Sequence, residues 1–242
     1  MSAQRINAGE LAYRELGELV ERADGDVVID GCLGQRFIAS GLSGKSVVIN
    51  GIPGNALGAY LDGAEITVHG NAQDAVGDTM NAGRIVIHGS VGDAPGYAMR
   101  GGEIFVRGNA GYRAGIHMKA YEAKLPVLII GGKAGSFLGE YQAGGLIAVL
   151  GIGVDDAELI GHFCGTGMHG GKIFLRAGKI MRSLPPQVNV TEATEADLSE
   201  LVPYLEKFRE LFGIDPIPDD GKKFFMLTPN TKNPYKQLYV QN

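Results

Sequence analysis

A short aliphatic run that ends at or near a glycine recurs along this chain, and this repeat constrains the fold more than any other feature. The eight runs are 27–31, 47–51, 66–70, 85–89, 104–108, 128–132, 147–151 and 173–177. Their last residues are 20, 19, 19, 19, 24, 19 and 26 positions apart, and the two longer spacings mark insertions around 121–126 and 158–167. A short, regular period predicts a solenoid, in which each repeat packs only on its neighbours.

Each run alternates in a way that is typical of a strand with one buried face. The first and third residues are aliphatic in all eight runs, as in Ile66 and Val68. The fourth residue is polar in six runs, where it is Asp30, Asn50, His69, His88, Arg107 or Arg176. Successive side chains of a strand point to opposite faces, so the aliphatic positions are expected to form two buried columns.

Glycine separates the strands. The chain holds 38 glycines in 242 residues, concentrated just after each run and again just before the next one. Glycine suits corners that need positive φ. A 19-residue unit fits one coil of a β-helix, whereas a β-propeller blade needs about 40 residues. The sequence therefore predicts an all-β fold, a right-handed parallel β-helix of about eight coils, with the hand taken from the usual preference of parallel crossovers.

Three regions follow from this pattern. Residues 1–26 are predicted to form an N-terminal helical cap, 27–178 the β-helix, and 179–242 a C-terminal helix and an extended tail. Caps are expected because the end coils of a solenoid would otherwise expose strand edges and core.

The C-terminal region carries its own helix signals. An apolar stripe over 194–212 predicts a helix, with Thr194 and Asp197 as a capping pair. Pro203 is expected to kink or divide this helix, and Gly213 to end it. The tail over 221–242 holds Phe224, Phe225, Tyr235 and Tyr239 with Pro229 and Pro234. We expect it to be extended, and to pack along the solenoid or to dock on a partner subunit.

Composition excludes several functions. The net charge of −5 gives no reason to expect nucleic acid or an anionic membrane as a partner. No run approaches the ~18 apolar residues of a membrane span, and the N-terminus lacks a signal-like apolar core, so we expect a cytoplasmic protein. Two distant cysteines, Cys32 and Cys164, do not form a disulfide framework.

Two clusters could carry chemistry, and for each we favour a structural interpretation. His162, Cys164 and His169 lie within eight residues and could ligate a metal, but no second cluster accompanies them. His69 and His88 hold the same position in adjacent coils, where a solvated polar ladder is more common than a site. We therefore assign no catalytic, cofactor-binding or metal residues, and no cofactor in this chain.

Three stretches, 70–85, 96–104 and 163–171, resemble a known family. They are similar to the GXGXG repeats of the C-terminal domain of the glutamate synthase large subunit, and the likeness covers about 27–178. The resemblance implies a stand-alone β-helix subunit of a complex that performs glutamine-dependent reductive amination of 2-oxoglutarate. It implies a glutamine amidotransferase subunit and an FMN-containing synthase subunit as partners, with FMN and iron–sulfur in those subunits. No catalytic residue carries over, because no position matches one.

Alternatives stay open. The same repeats occur in the β-helix subunit of formylmethanofuran dehydrogenase, in related formyltransferase/hydrolase complexes and in a subunit of N-methylglutamate synthase. A third hypothesis is an independent metal-binding protein that uses Cys164, His162 and His169. Self-association through a flat face of the solenoid is compatible with all of these.

Overall fold

The computed structural model describes residues 3–230. Eight strands stack through the middle of the chain: β2 (Val27–Leu33), β3 (Ser46–Ile52), β4 (Asp62–Val68), β5 (Ala82–Ile87), β6 (Glu103–Val106), β7 (Val127–Ile130), β8 (Ala143–Val149) and β9 (Gly170–Ala177). Each strand pairs in parallel with the next. This confirms the all-β, parallel β-helix prediction. These eight stacked strands make about seven turns of the β-helix, slightly fewer than the eight coils expected.

The predicted aliphatic columns are in register. Ile66 pairs with Ile85, which in turn pairs with Ile104. Two residues further along the strands, Val68 faces Ile87 in the second column. All these side chains are buried, and they belong to one continuous core. The nineteen-residue period therefore places equivalent residues directly above one another.

One corner of the solenoid has an unusual backbone, which we call the corner ribbon. It consists of 37–41, 56–60, 75–79, 94–98, 113–117, 137–141 and 163–167, and in each turn the first, third and fifth residues have positive φ. The central residue is glycine in six turns and Ala39 in the first. One glycine of each of these six repeats, such as Gly58 or Gly77, is therefore this central residue, whereas the glycines that end the aliphatic runs lie outside the ribbon. The flanking positions hold residues such as Tyr60 and Phe137, which adopt the left-handed region at a cost.

The N-terminal end differs in part from the expected helical cap. Helix α1 (Tyr13–Arg22) lies within the predicted cap and buries Leu16 and Val20 against the core. Before it, β1 (Gln4–Asn7) pairs in parallel with β2 and was not expected. Ile6 explains the strand, because it aligns with Ile29 and extends the third-position column.

The C-terminal helix was predicted to cap the solenoid, and that placement was wrong. Helices α2 (Glu195–Leu198) and α3 (Val202–Phe212) occupy the predicted range, but α3 packs on the outer face of the sheet. At the end of the stack, β11 (Lys223–Pro229) pairs antiparallel with β9, and β10 (Val188–Glu192) pairs with β11. Strand pairing satisfies the open edge directly, as a helix cannot.

The local helix signals were correct. Thr194 and Asp197 form a reciprocal capping box. Pro203 sits in the first turn of α3, where a missing N–H is tolerated, and so divides the helical region in two. Gly213 ends α3 with φ 64. The part of the tail over 221–230 is extended as β11, whereas Pro234, Tyr235 and Tyr239 lie outside the described residues.

Candidate functional site

The outer face of the sheet has two different halves. The second residue of each early run is half-buried, as in Val28, Val48 and Thr67. In the later runs this position is fully buried and apolar. Its residues there are Phe105, Ile129, Ala148 and Phe174.

Helix α3 covers the later half. Its Leu205 and Phe208 pack with Phe105, Ile129 and Phe174 in a second hydrophobic cluster, separate from the interior core. The sequence contains a signal for this cover, because the run 127–130 is apolar at every position. A strand that is apolar on both faces is covered on both faces.

An ion-pair chain fastens α3 to the solenoid. Lys207 Nζ lies 2.8 Å from Glu103 Oε1, and Arg84 Nε donates to Glu103 Oε2 at 3.0 Å. The Arg84 guanidinium also reaches Glu65 at 3.4 Å. Lys207 thus joins α3 at Glu103 to a network of charges that links three coils.

Arg176 holds the fourth position of its run, where the sequence predicts a solvent-exposed polar side chain, but it is not exposed. Its side chain is fully buried. The guanidinium donates to the carbonyls of Pro218 at 2.7 Å and Leu150 at 3.3 Å and pairs with the Asp220 carboxylate. Buried charge needs such partners. Asp220, which no sequence pattern singled out, therefore ties the segment after α3 to the last coils.

The predicted histidine pair exists. The rings of His69 and His88 are 4.9 Å apart, and Phe212 of α3 meets His88 edge-on at 5.2 Å. Burial lowers the pKa of His88 from 6.5, and the neighbouring His69 and Arg107 lower it further. Helix α3 thus begins to cover the polar ladder at His88.

The earlier coils of the ladder are solvated. Asp30 accepts hydrogen bonds from Asn50 at 2.7 Å and from Arg5 at 3.0 Å. These bonds hold the pKa of the Asp30 carboxyl below its usual value. This part of the ladder is the polar surface that the sequence predicts.

The histidine–cysteine cluster does not assemble as a ligand set. Cys164 is buried, and burial raises the pKa of its thiol to about 12. His162 is exposed, and His169 Nδ1 lies 3.2 Å from the carbonyl of Gly167. Within residues 3–230, no group of three His, Cys, Asp or Glu side chains could hold a metal ion. The metal-binding hypothesis gains no support from this geometry.

A cavity of about 430 Å³ lies between α1 and the first turn of the corner ribbon, lined in part by Gly17, Ser40 and Lys45. The Lys45 ammonium donates to the carbonyls of Val20, Glu21 and Ala23 at the end of α1, the shortest at 2.5 Å. That cation stabilises a helix C-terminus. It is therefore engaged in structure and does not define an anion site.

No helix in the described part of the chain is long and apolar enough to cross a membrane. The cytoplasmic location remains a prediction.

These features define a parallel β-helix protein in which helix α3 covers part of the outer face. The chain belongs to the GXGXG motif family, whose model matches residues 18–219. It is 45% identical to the uncharacterized protein MJ1350 of Methanocaldococcus jannaschii over 252 aligned positions, which span 97% of this chain and 95% of that one.

One solved structure shows the same fold. A chain of the formyltransferase/hydrolase complex FhcABCD from Methylorubrum extorquens, determined with methylofuran, matches with a TM-score of 0.62. The match covers 86% of this chain and 85% of that chain at 22% identity. At that identity the likeness extends to the fold alone.

Proposed function

We propose that this protein is a structural subunit that holds the catalytic subunits of a multi-subunit enzyme complex in place. The observation that carries the proposal is the fold likeness to a chain of the FhcABCD complex over 86% of this chain. The stacked coils support it, because each coil is hydrogen-bonded to the next and the whole forms a rigid rod. Catalysis would then belong to the partners.

Two kinds of complex are candidates. The solved structure favours a formyltransferase/hydrolase-type complex, which the repeats had left open as an alternative. The motif-bearing stretches 70–85 and 163–171 favour a glutamate-synthase-type complex, with an amidotransferase and an FMN-containing synthase as partners. The two differ in their partners and cofactors, so the composition of the purified complex separates them.

Affinity purification of the tagged chain from its native cells, followed by mass spectrometry of the bound proteins, tests the proposal. We expect catalytic subunits to co-purify in fixed stoichiometry. Flavin absorbance together with glutamine-dependent glutamate formation from 2-oxoglutarate would identify the glutamate-synthase type. Formyl-transfer activity would identify the formyltransferase/hydrolase type, whereas molybdenum or tungsten in the complex would indicate the formylmethanofuran dehydrogenase that the repeats also left open. Recovery of the chain without any enzyme subunit would refute the scaffold function.

A further inference from the structure

The corner ribbon has a fixed hydrogen-bonding pattern between coils. The first and fifth residues of each turn donate their N–H groups to the next coil, as Ala75 does to the Asp93 carbonyl at 2.8 Å and Thr79 to the Tyr97 carbonyl at 2.7 Å. The central residue donates to the previous coil, as Gly77 does to the Leu57 carbonyl at 2.9 Å. Each turn therefore relies on the next coil for two acceptors.

The last turn lacks that next coil. Gly165 donates to the previous coil, to the Leu138 carbonyl at 2.8 Å. The N–H groups of Phe163 and Gly167, however, have no hydrogen-bond acceptor among residues 3–230. Gly167 is buried, and a buried amide without a partner costs about 1–3 kcal/mol. The end of the ribbon thus presents two spaced donors that suit carbonyl oxygens.

The described chain ends beside this turn. Val188 in β10 lies over Gly165, where an added Cβ would be 2.9 Å from Val188 Cγ2. Val188 pairs with Pro229 of β11, and the next residue, Asn230, donates its N–H to the Gln187 carbonyl at 2.9 Å. The described chain therefore ends at Asn230, next to the strand that carries Val188.

The remaining segment suits the site. Residues 231–242 can span roughly 40 Å when extended. Pro234 biases the residue before it towards extended backbone. The segment also contains Tyr235, Leu238, Tyr239 and Val240. Beside the donors, Phe163 is 56% exposed and stacks on Phe137 at 5.0 Å, which offers an apolar surface for such side chains.

We propose that the C-terminal segment 231–242 binds across the last turn of the corner ribbon and supplies backbone carbonyls to the N–H groups of Phe163 and Gly167. The segment takes the place of the missing coil.

Amide hydrogen exchange measured by NMR tests the proposal. In the full chain, the amides of Phe163 and Gly167 are expected to exchange slowly. In a chain that ends at Asn230, they should exchange at least roughly tenfold faster. The amide of Phe137, which donates to the His162 carbonyl at 2.8 Å, is the control and should not change. Fast exchange of the two amides in the full chain would overturn the proposal, as would protection that depends on protein concentration or on an added partner subunit.

A peptide of residues 231–242 added to the shortened chain provides a second test. We expect it to bind and to restore protection of both amides, whereas a scrambled peptide should not. Phe163→Ala should weaken binding by roughly fivefold through lost apolar contact. Alanine is tolerated there, since Ala75 and Ala94 hold the equivalent position with positive φ. Absence of binding to a folded shortened chain would contradict the proposal. Both tests use the isolated chain, so their outcome is independent of co-purification.

Discussion

A Cβ added to Gly77 would lie 2.5 Å from Cδ1 of Ile104, a distance that no packed pair of carbons adopts. The corner glycine and the strand isoleucine are therefore fitted to each other across the core. The same relationship recurs between Gly139 and Ile173, at 2.6 Å. The repeated glycine thus provides space inside the solenoid as well as backbone freedom at its corner.

Gly77→Ala should lower the free energy of unfolding by about 2–5 kcal/mol. Positive φ costs a non-glycine residue ~1–2 kcal/mol, and overpacking adds ~1–3 kcal/mol. Gly41→Ala is the matched control, because Gly41 has φ 66, close to the 68 of Gly77, and nothing lies within 4 Å of its added Cβ. Urea unfolding of the Gly41→Ala variant should show only the ~1–2 kcal/mol cost of positive φ in a non-glycine residue. Equal losses in the two variants would show that the contact with Ile104 is unimportant.

Ile104→Val should partly rescue Gly77→Ala, because it removes the Cδ1 atom that the new methyl group meets. We expect a favourable coupling energy of about 1 kcal/mol or more in a double-mutant cycle measured by urea unfolding. Strictly additive losses would count against direct contact.

Phe208→Ala should detach α3 from the outer face while leaving the stacked coils folded. Phe208 is fully buried in the second cluster, and truncation of such a residue costs about 3–5 kcal/mol. Limited proteolysis should then cleave within 195–220 and leave a resistant core. Val202→Ala, at a residue 42% exposed on the same helix, is the control and should behave like the parent. Unchanged protease resistance in the Phe208 variant would refute this assignment of α3.

Stability should fall as the solution is acidified below pH 6.5, and His88 should contribute to this loss. Burial, then His69 and Arg107, lower the pKa of His88 from 6.5 in the folded protein. Between that lowered pKa and 6.5, the unfolded chain binds a proton that the folded chain does not, so stability rises with pH there. His88→Phe keeps a ring against Phe212 without titrating. A urea-unfolding series across this range should show a shallower slope for the variant, and an unchanged slope would argue against His88.

Cys164 should resist alkylation in the native protein at pH 8. Its thiol is buried, and its pKa is raised to about 12, so little thiolate is available. Iodoacetamide labelling followed by mass spectrometry should modify it only when denaturant is present. Cys164→Ala should leave the metal content of the purified protein unchanged. Rapid native labelling, or stoichiometric metal that this variant loses, would revive the metal-binding hypothesis.

Local patterns predicted much of this fold correctly. The aliphatic columns, the Thr194 capping box and the end of α3 at Gly213 were all readable, because each depends on residues close in sequence or one repeat away. The position of α3 could not be predicted from such local patterns. Lys207 and Glu103 meet across 104 positions, and no periodicity encodes that pairing.

The same distinction between repeat-encoded contacts and contacts of distant segments applies to the candidate site. The neighbouring placement of His69 and His88 was predicted from the repeat, since equal positions in adjacent coils must stack. The cover that Phe212 gives to His88, and the burial of Arg176 against Asp220, were not predicted. Both depend on a segment that folds back from beyond the repeat.

The amino-acid order alone settles the coil, its period and the two interior columns, because a nineteen-residue repeat dictates which residues become neighbours. The folded chain adds the left-handed corner at residues such as Tyr60 and Phe137, and the surface that α3 covers. The physical reason is that these features arise from hydrogen bonds and apolar contacts between distant segments, whose energies exist only after the coils have stacked.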